Sequence, residues 1–179
     1  AADPDGDLLL MRRLPPKLSD LRAPGEALMV VGGGANGPLY RSLASGDSAR
    51  LTRQGWDVRI IADTGATLGE LQRDRLILYG GPADNSVAGD LRGALPMVVG
   101  GDSAVISGET VRDSTLGLLQ AGANPWFDEG ILIWVQAFGT AARPELRPFD
   151  DSWVLVRGGE KVHSGTWVVN DEAMEAPVK

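Results

Sequence analysis

ALMVVGGGANGPLYRSL, residues 27–43, is the stretch on which the fold turns. Ala27–Val31 run without a polar break, as a strand buried on both faces does. A glycine cluster follows, and Pro38 then stands where the first turn of a helix tolerates a residue without an N–H. Leu39, Leu43 and Leu51 mark an amphipathic helix that ends near Gly55. The turn reads Gly32-x-Gly34-x-x-Gly37, a pattern in which glycines let the backbone approach a pyrophosphate at a helix N-terminus. The same glycines serve a tight strand-to-helix turn that requires positive φ and holds no ligand. Two details favour the structural reading. Asp63, the acid that would hold a ribose, lies 26 residues beyond Gly37, farther than usual, and Pro38 deletes an amide donor.

Outward from this unit the rhythm continues. DVRIIAD (57–63) reads as a second strand and TLGELQRD (67–74) as a short helix with Thr67 as its N-cap. RLILYGG (75–81) is a third strand, followed by a turn at Pro82 and a helix from about Asp84 to the break at Leu95-Pro96. Strand and helix alternating in this way predict right-handed crossovers and a parallel sheet covered on both faces. Beyond Pro96 the pieces are strand-like: MVV, AVIS, TLGLLQ, ILIWVQAFG and SWVLVR. They are expected to extend the sheet and to add a small β-hairpin at its edge.

Residues 1–25 form an extended arm, because Pro15-Pro16 and Pro24-Gly25 prevent a long helix. The domain proper spans 26–169, and 170–179 is expected to be a flexible tail. The chain of 179 residues suits one domain, with 24 Gly and 11 Pro for its turns. A net charge of −7 argues against nucleic acid as a partner. The absence of cysteine excludes disulfides, thiolate zinc sites and a cysteine nucleophile. The start, AADPDGD, resembles the end left by a signal peptidase, so a periplasmic or secreted location is expected. No apolar run is long enough to cross a bilayer, which leaves only an indirect relation to a membrane.

Several segments together resemble a known family. They are Trp56 near the end of the first helix, Ala62-Asp63-Thr64 closing the second strand, RDRLILYGGPADNSV (73–87), Leu95-Pro96, a hairpin closing on Gly117-Leu118, Asn124-Pro125, ILIWVQAFGT (131–140) and GTW (165–167). The series is similar to the Rossmann-like accessory domain that accompanies secreted α/β-hydrolase esterases and prolyl-oligopeptidase-like peptidases. It covers about residues 20–168 and departs at Ala123-Asn124-Pro125, where the family tends to place a proline first. The resemblance implies an accessory role, since the family's catalytic residues lie in a hydrolase domain that the matching segments do not include. The expected fold is thus α/β: a three-layer Rossmann-like domain with a mostly parallel sheet and an edge β-hairpin.

Candidates for chemistry are few. No Gly-x-Ser-x-Gly elbow occurs. A Ser–His–acid arrangement would have to use His163, read as a loop residue, with Ser152 or Ser164 and Asp150 or Asp151. One histidine and no cysteine all but exclude a transition-metal site. Asp3-x-Asp5-x-Asp7 begins like a calcium loop, but Leu8 and Leu14 occupy the positions that need glycine and an acid. Asp84 and Asn85 follow a central strand, at the edge where open α/β sheets bind ligands, and equally suit helix capping.

No catalytic residue, cofactor or metal is therefore expected. Trp56, Trp134 and Trp153 read as core. Leu8, Leu9, Leu10 and Met11 on the arm, with Trp126 and Phe127 on the ANPWFDEG turn, form the candidate contact surface for another protein or a multi-subunit complex. The alternatives are a small-ligand or carbohydrate-binding module using the C-terminal edge of the sheet, and a nucleotide-binding enzyme working through Gly32–Gly37.

Overall fold

The computed structural model describes residues 16–91, 97, 99–106, 108–170 and 173–175. Leu8–Met11, Asp3, Asp5, Asp7 and Leu95-Pro96 lie outside the described residues. The chain is α/β-like and mostly sheet. In chain order it comprises β1 (Glu26–Val31), α1 (Gly37–Arg53), β2 (Asp57–Ala62), α2 (Leu68–Leu71), β3 (Arg75–Tyr79) and α3 (Ser86–Asp90). There follow β4 (Val99–Gly100), β5 (Ser103–Ile106), β6 (Glu109–Arg112), β7 (Leu116–Ala123) and β8 (Ile131–Ala137), then β9 (Trp153–Arg157), β10 (Glu160–Gly165), β11 (Val168–Asn170) and β12 (Ala173–Glu175).

Seven strands form one sheet in the order β10-β9-β7-β8-β3-β1-β2. β2–β1, β1–β3 and β3–β8 are parallel, as the alternation of strands and helices implied. The expectation of a mostly parallel sheet is corrected by the other half: β8–β7, β7–β9 and β9–β10 are antiparallel. The physical reason is the connection. Residues 124–130 are too few to cross over a sheet, so β7 and β8 must run in opposite directions. The β9–β10 hairpin closes one margin of the sheet, β4–β5–β6 form a separate three-stranded sheet, and β11 pairs with β12.

One face of the large sheet is covered by α1. Gly37, Tyr40, Ala44, Asp47 and Leu51 are its buried residues, spaced at helical intervals. Tyr40, Ala44 and Leu51 join one core cluster with Met29 of β1, Ile77 and Tyr79 of β3 and Val135 of β8. The helix stops because Gly55 adopts φ 91°, a conformation that favours glycine. Trp56 N–H donates to Leu51 O (3.1 Å) and Gly55 N–H to Thr52 O (3.0 Å), which answers the terminal carbonyls as a Schellman motif does. The opposite face is covered by Leu71 of α2 and by Val87, Ala88 and Leu91 in and after α3, packed on Leu28, Val30, Leu76, Leu78 and Trp134. Fully burying each such side chain contributes about 1.5–3 kcal/mol, so the central strands anchor the domain.

β2 departs from expectation. Read as a covered strand, it stands at the margin with Asp57, Arg59, Ile60 and Ala62 exposed. A 3₁₀ turn, Leu18–Arg22, precedes β1 and docks at the far side of the sheet. Leu18 and Leu21 are buried, Leu18 N–H donates to Asp151 O (3.0 Å), and Arg22 pairs with Asp150 (2.8 Å).

Candidate functional site

The C-terminal ends of β1 and β3 are where this topology would hold a ligand, because the chain leaves these neighbouring strands for opposite faces of the sheet, β1 for α1 and β3 for α3. The two loops that meet at this point, 32–36 and 80–85, are bonded to each other instead. Gly32 N–H donates to Tyr79 O (3.0 Å) and Gly34 N–H to Asp84 O (2.9 Å). Asn36 donates to the Asp84 carboxylate through its backbone N–H (3.0 Å) and its side-chain amide (3.1 Å). Gly33 N–H donates to Asp63 Oδ1 (3.1 Å), and Asp63 Oδ2 accepts from Ser86 N–H (2.8 Å) and Ser86 Oγ (3.0 Å). Gly37 N–H turns back to Gly34 O (2.9 Å).

The backbone donors that a phosphate would need are thus taken, and two carboxylates stand where the anion would sit. An incoming phosphate would have to displace Asp63 and Asp84 and meet their charge. Asn85 completes the lock: its Oδ1 caps α3 by accepting from Ala88 N–H (3.2 Å), and its amide donates to Val30 O and Tyr79 O (3.1 and 3.0 Å).

The glycines serve a different purpose from the one their pattern suggested. Gly32, Gly33, Gly34 and Gly37 have no positive φ. A Cβ on Gly32 would lie 2.3 Å from Asp84 O, and one on Gly34 2.6 Å from Asp84 Cα. Close approach of the two loops, not a left-handed backbone, excludes larger residues here.

His163 is corrected from loop to strand: it lies on β10, exposed, with its ring edge-to-face on Trp153 at 5.3 Å. The residues near it in sequence are engaged elsewhere. Asp150 pairs with Arg22, Asp151 with Lys161 (3.1 Å), and Ser152 Oγ is buried without a partner. The Arg22 guanidinium holds the Asp150 carboxyl below the usual range. Among the described residues no group of three or more histidine or acidic side chains is placed to hold a metal ion, and no helix is long and apolar enough to cross a membrane.

The aromatic turn is built on Asn124. Its amide donates to Leu71 O and Arg73 O (both 2.9 Å), and its Oδ1 accepts from Trp126 N–H (3.1 Å). Trp126 and Phe127 are each half-buried, and Trp126 packs against the cluster that contains Leu28 and Trp134. Trp56, Trp134 and Trp153 are buried, as their place in strand-like runs predicted.

A charged group escaped the sequence reading. Asp47, inside α1, is 4% exposed and accepts from Tyr79 OH (2.9 Å), Arg50 Nη2 (2.8 Å) and Leu146 N–H (3.2 Å). Arg50 also donates to Leu146 O. Burial pushes the Asp47 carboxyl above its ordinary range, against the opposing pull of these donors. Burial first and the Asp47 charge second push the Tyr79 hydroxyl well up. The signal was available: Asp47 lies four residues from both Leu43 and Leu51, on the apolar stripe.

At the opposite edge of the sheet, around the starts of β1–β3, lies a cleft of about 540 Å³ whose lining includes Glu26, Asp57, Arg59, Arg73, Asp74 and Arg75. Arg59 is paired with Glu70, and the Arg75 guanidinium lies 5.7 Å from the Trp56 ring centre. No family model, curated protein or solved structure matches the chain.

Proposed function

We propose that this chain is a non-catalytic accessory or structural subunit that binds another protein within a larger exported assembly, and that its architecture is a three-layer Rossmann-like one. The observation that carries this reading is the closure of the glycine turn by Asp63 and Asp84. A nucleotide-binding enzyme needs those amides free, whereas a scaffold needs them satisfied. Helices on both faces of the parallel strands support the three-layer description. A periplasmic or secreted location is in keeping with the resemblance to accessory domains of secreted hydrolases. Contact with a membrane is then indirect, through the partner. Trp126 and Phe127 are only half-buried, which leaves aromatic surface suited to an interface.

The experiment is purification of the protein from its source with cross-linked neighbours, followed by their identification. A specific partner is expected, and its yield should drop when Trp126 and Phe127 are both replaced by Ser. Recovery of this chain with no other protein overturns the reading. NAD and ATP are expected to leave the amide signals of Gly33, Gly34 and Asn36 unmoved, and saturable shifts there would favour the nucleotide alternative.

A second reading, small-ligand binding, is favoured by one observation. It uses the cleft at the starts of β1–β3, because the C-terminal edge is closed at the β1–β3 junction. Its mixed charges suit a polar ligand.

A further inference from the structure

β2 leaves one side of its backbone open. Asp57 N–H donates to Gly25 O (3.0 Å), so Asp57 turns its backbone groups toward β1. Backbone direction alternates along a strand; Arg59 and Ile61 therefore also face β1, and Val58, Ile60 and Ala62 face outward. Among the described residues no strand pairs with that side, and Ile60 is 39% exposed. β2 contains no proline, and its register with β1 is unbroken. β10, at the other margin, has its register shifted between Lys161 and His163, a feature that blunts an edge.

We propose that β2 is a self-association edge: a second copy of this chain adds its own β2 antiparallel, about a twofold axis at Ile60, and the sheet continues from one copy into the next. This pairing is independent of the accessory reading. The choice of a second copy follows from β2's own complementarity. Centred on Ile60, the facing residues are Ile60 with Ile60 and Val58 with Ala62. All three outward residues of each copy then exchange hydrogen bonds.

Two neighbouring registers are less favourable. Centring on Arg59 sets the two Arg59 side chains directly opposite each other, a like-charge pair eased only while each stays turned onto its own Glu70. Centring on Val58 draws in Trp56, whose N–H already donates to Leu51 O. In the Ile60 register Arg59 faces Ile61. Asp57 faces Asp63, whose carboxylate is turned onto Gly33 and Ser86. Like charges therefore do not meet.

The chain has no cysteine, so Ile60→Cys introduces its sole thiol. In a hydrogen-bonded antiparallel pair the Cα atoms are about 5.5 Å apart, inside the roughly 4.4–6.8 Å range of a disulfide. Light scattering of the full chain across a concentration series is expected to show a dimer. Ile60→Pro removes an outward N–H and leaves the bonds to β1, so it should weaken the dimer at least about tenfold with unchanged circular dichroism. Under mild oxidation Ile60→Cys should form covalent dimer at least about tenfold faster than Val162→Cys on β10, where Val162 is 49% exposed. A monomer at every concentration, equal cross-linking at the two positions, or a dimer that survives in folded Ile60→Pro overturns the proposal. Should Ile60→Pro fail to fold, the cysteine comparison alone decides.

Discussion

Asp63→Ala is the substitution that tests the closed turn most directly. The carboxylate receives three hydrogen bonds, from Gly33 N–H, Ser86 N–H and Ser86 Oγ, and its residue is 7% exposed. Hydrogen bonds to a charged acceptor contribute about 1.5–3 kcal/mol each when their loss leaves buried donors unpaired. Gly33 and Ser86 are at exposed positions, so water re-satisfies part of what is lost. The discounted total is about 2–3 kcal/mol. For a chain of this size each kcal/mol corresponds to roughly 2–4 °C in Tm, so a drop of about 4–12 °C is expected.

Asp63→Asn should recover less than half of that loss. Its amide offers one acceptor oxygen, and the –NH₂ then faces either the Gly33 donor or the Ser86 pair. Urea unfolding with thermal melts gives the magnitude, and hydrogen exchange at Gly33 and Ser86 shows whether the loss is local. If either variant stays within about 0.5 kcal/mol of the native chain, the reasoning about the turn is wrong.

Two glycines should respond in opposite senses to alanine. Gly32→Ala forces a Cβ against the Asp84 carbonyl and should cost roughly 3 kcal/mol. Gly46→Ala, in α1 with nothing within 4 Å of the new Cβ, should stabilise by about 0.5–1 kcal/mol in the same urea assay. Asp47 gives a pH test. Because burial raises its pKa above 3.8, the folded chain keeps the proton where the unfolded chain has released it. Its contribution is therefore full below the unfolded pKa and is lost as pH rises through the folded value. The stability of the native chain relative to Asp47→Asn should fall across that window; a difference that is flat or rises with pH refutes this. His163→Ala should leave partner recovery unchanged and stability within about 1 kcal/mol, the loss being one edge-to-face contact with Trp153.

The parallel half of the sheet was legible because its strands carry long apolar runs: Ala27–Val31, Leu76–Tyr79 and Ile131–Val135 lie in strands in the structure. α1 was legible from Pro38 and the leucine spacing. β2 was read as covered because Val58, Ile60 and Ile61 are apolar, and composition does not tell a central strand from a marginal one. The antiparallel half was misjudged although its turn was in view. Gly158-Gly159, both with positive φ, join β9 to β10 as a two-residue hairpin loop. At the candidate site the motif was visible and its contents were not. Asp84 and Asp63 reach the turn from loops 48 and 30 residues away, and one-dimensional spacing carries no record of which donor an acid will meet.

The docking of Leu18–Arg22 beside Asp150 and Asp151 bears on how the chain is made. During synthesis these residues leave the ribosome well before their docking site, since the backbone carbonyl that receives Leu18 N–H emerges 133 positions later. At about 5–20 residues per second that interval is on the order of ten seconds. Throughout it Leu18 and Leu21 have no finished surface to cover, while β1, α1, β2 and β3 have already been delivered together. The parallel half can assemble as it is translated; Leu18–Arg22 must wait for Asp150 and Asp151. A ribosome-stalled chain ending before β9 should therefore protect Met29 and Ile77 from solvent while leaving Leu18 open to proteolysis.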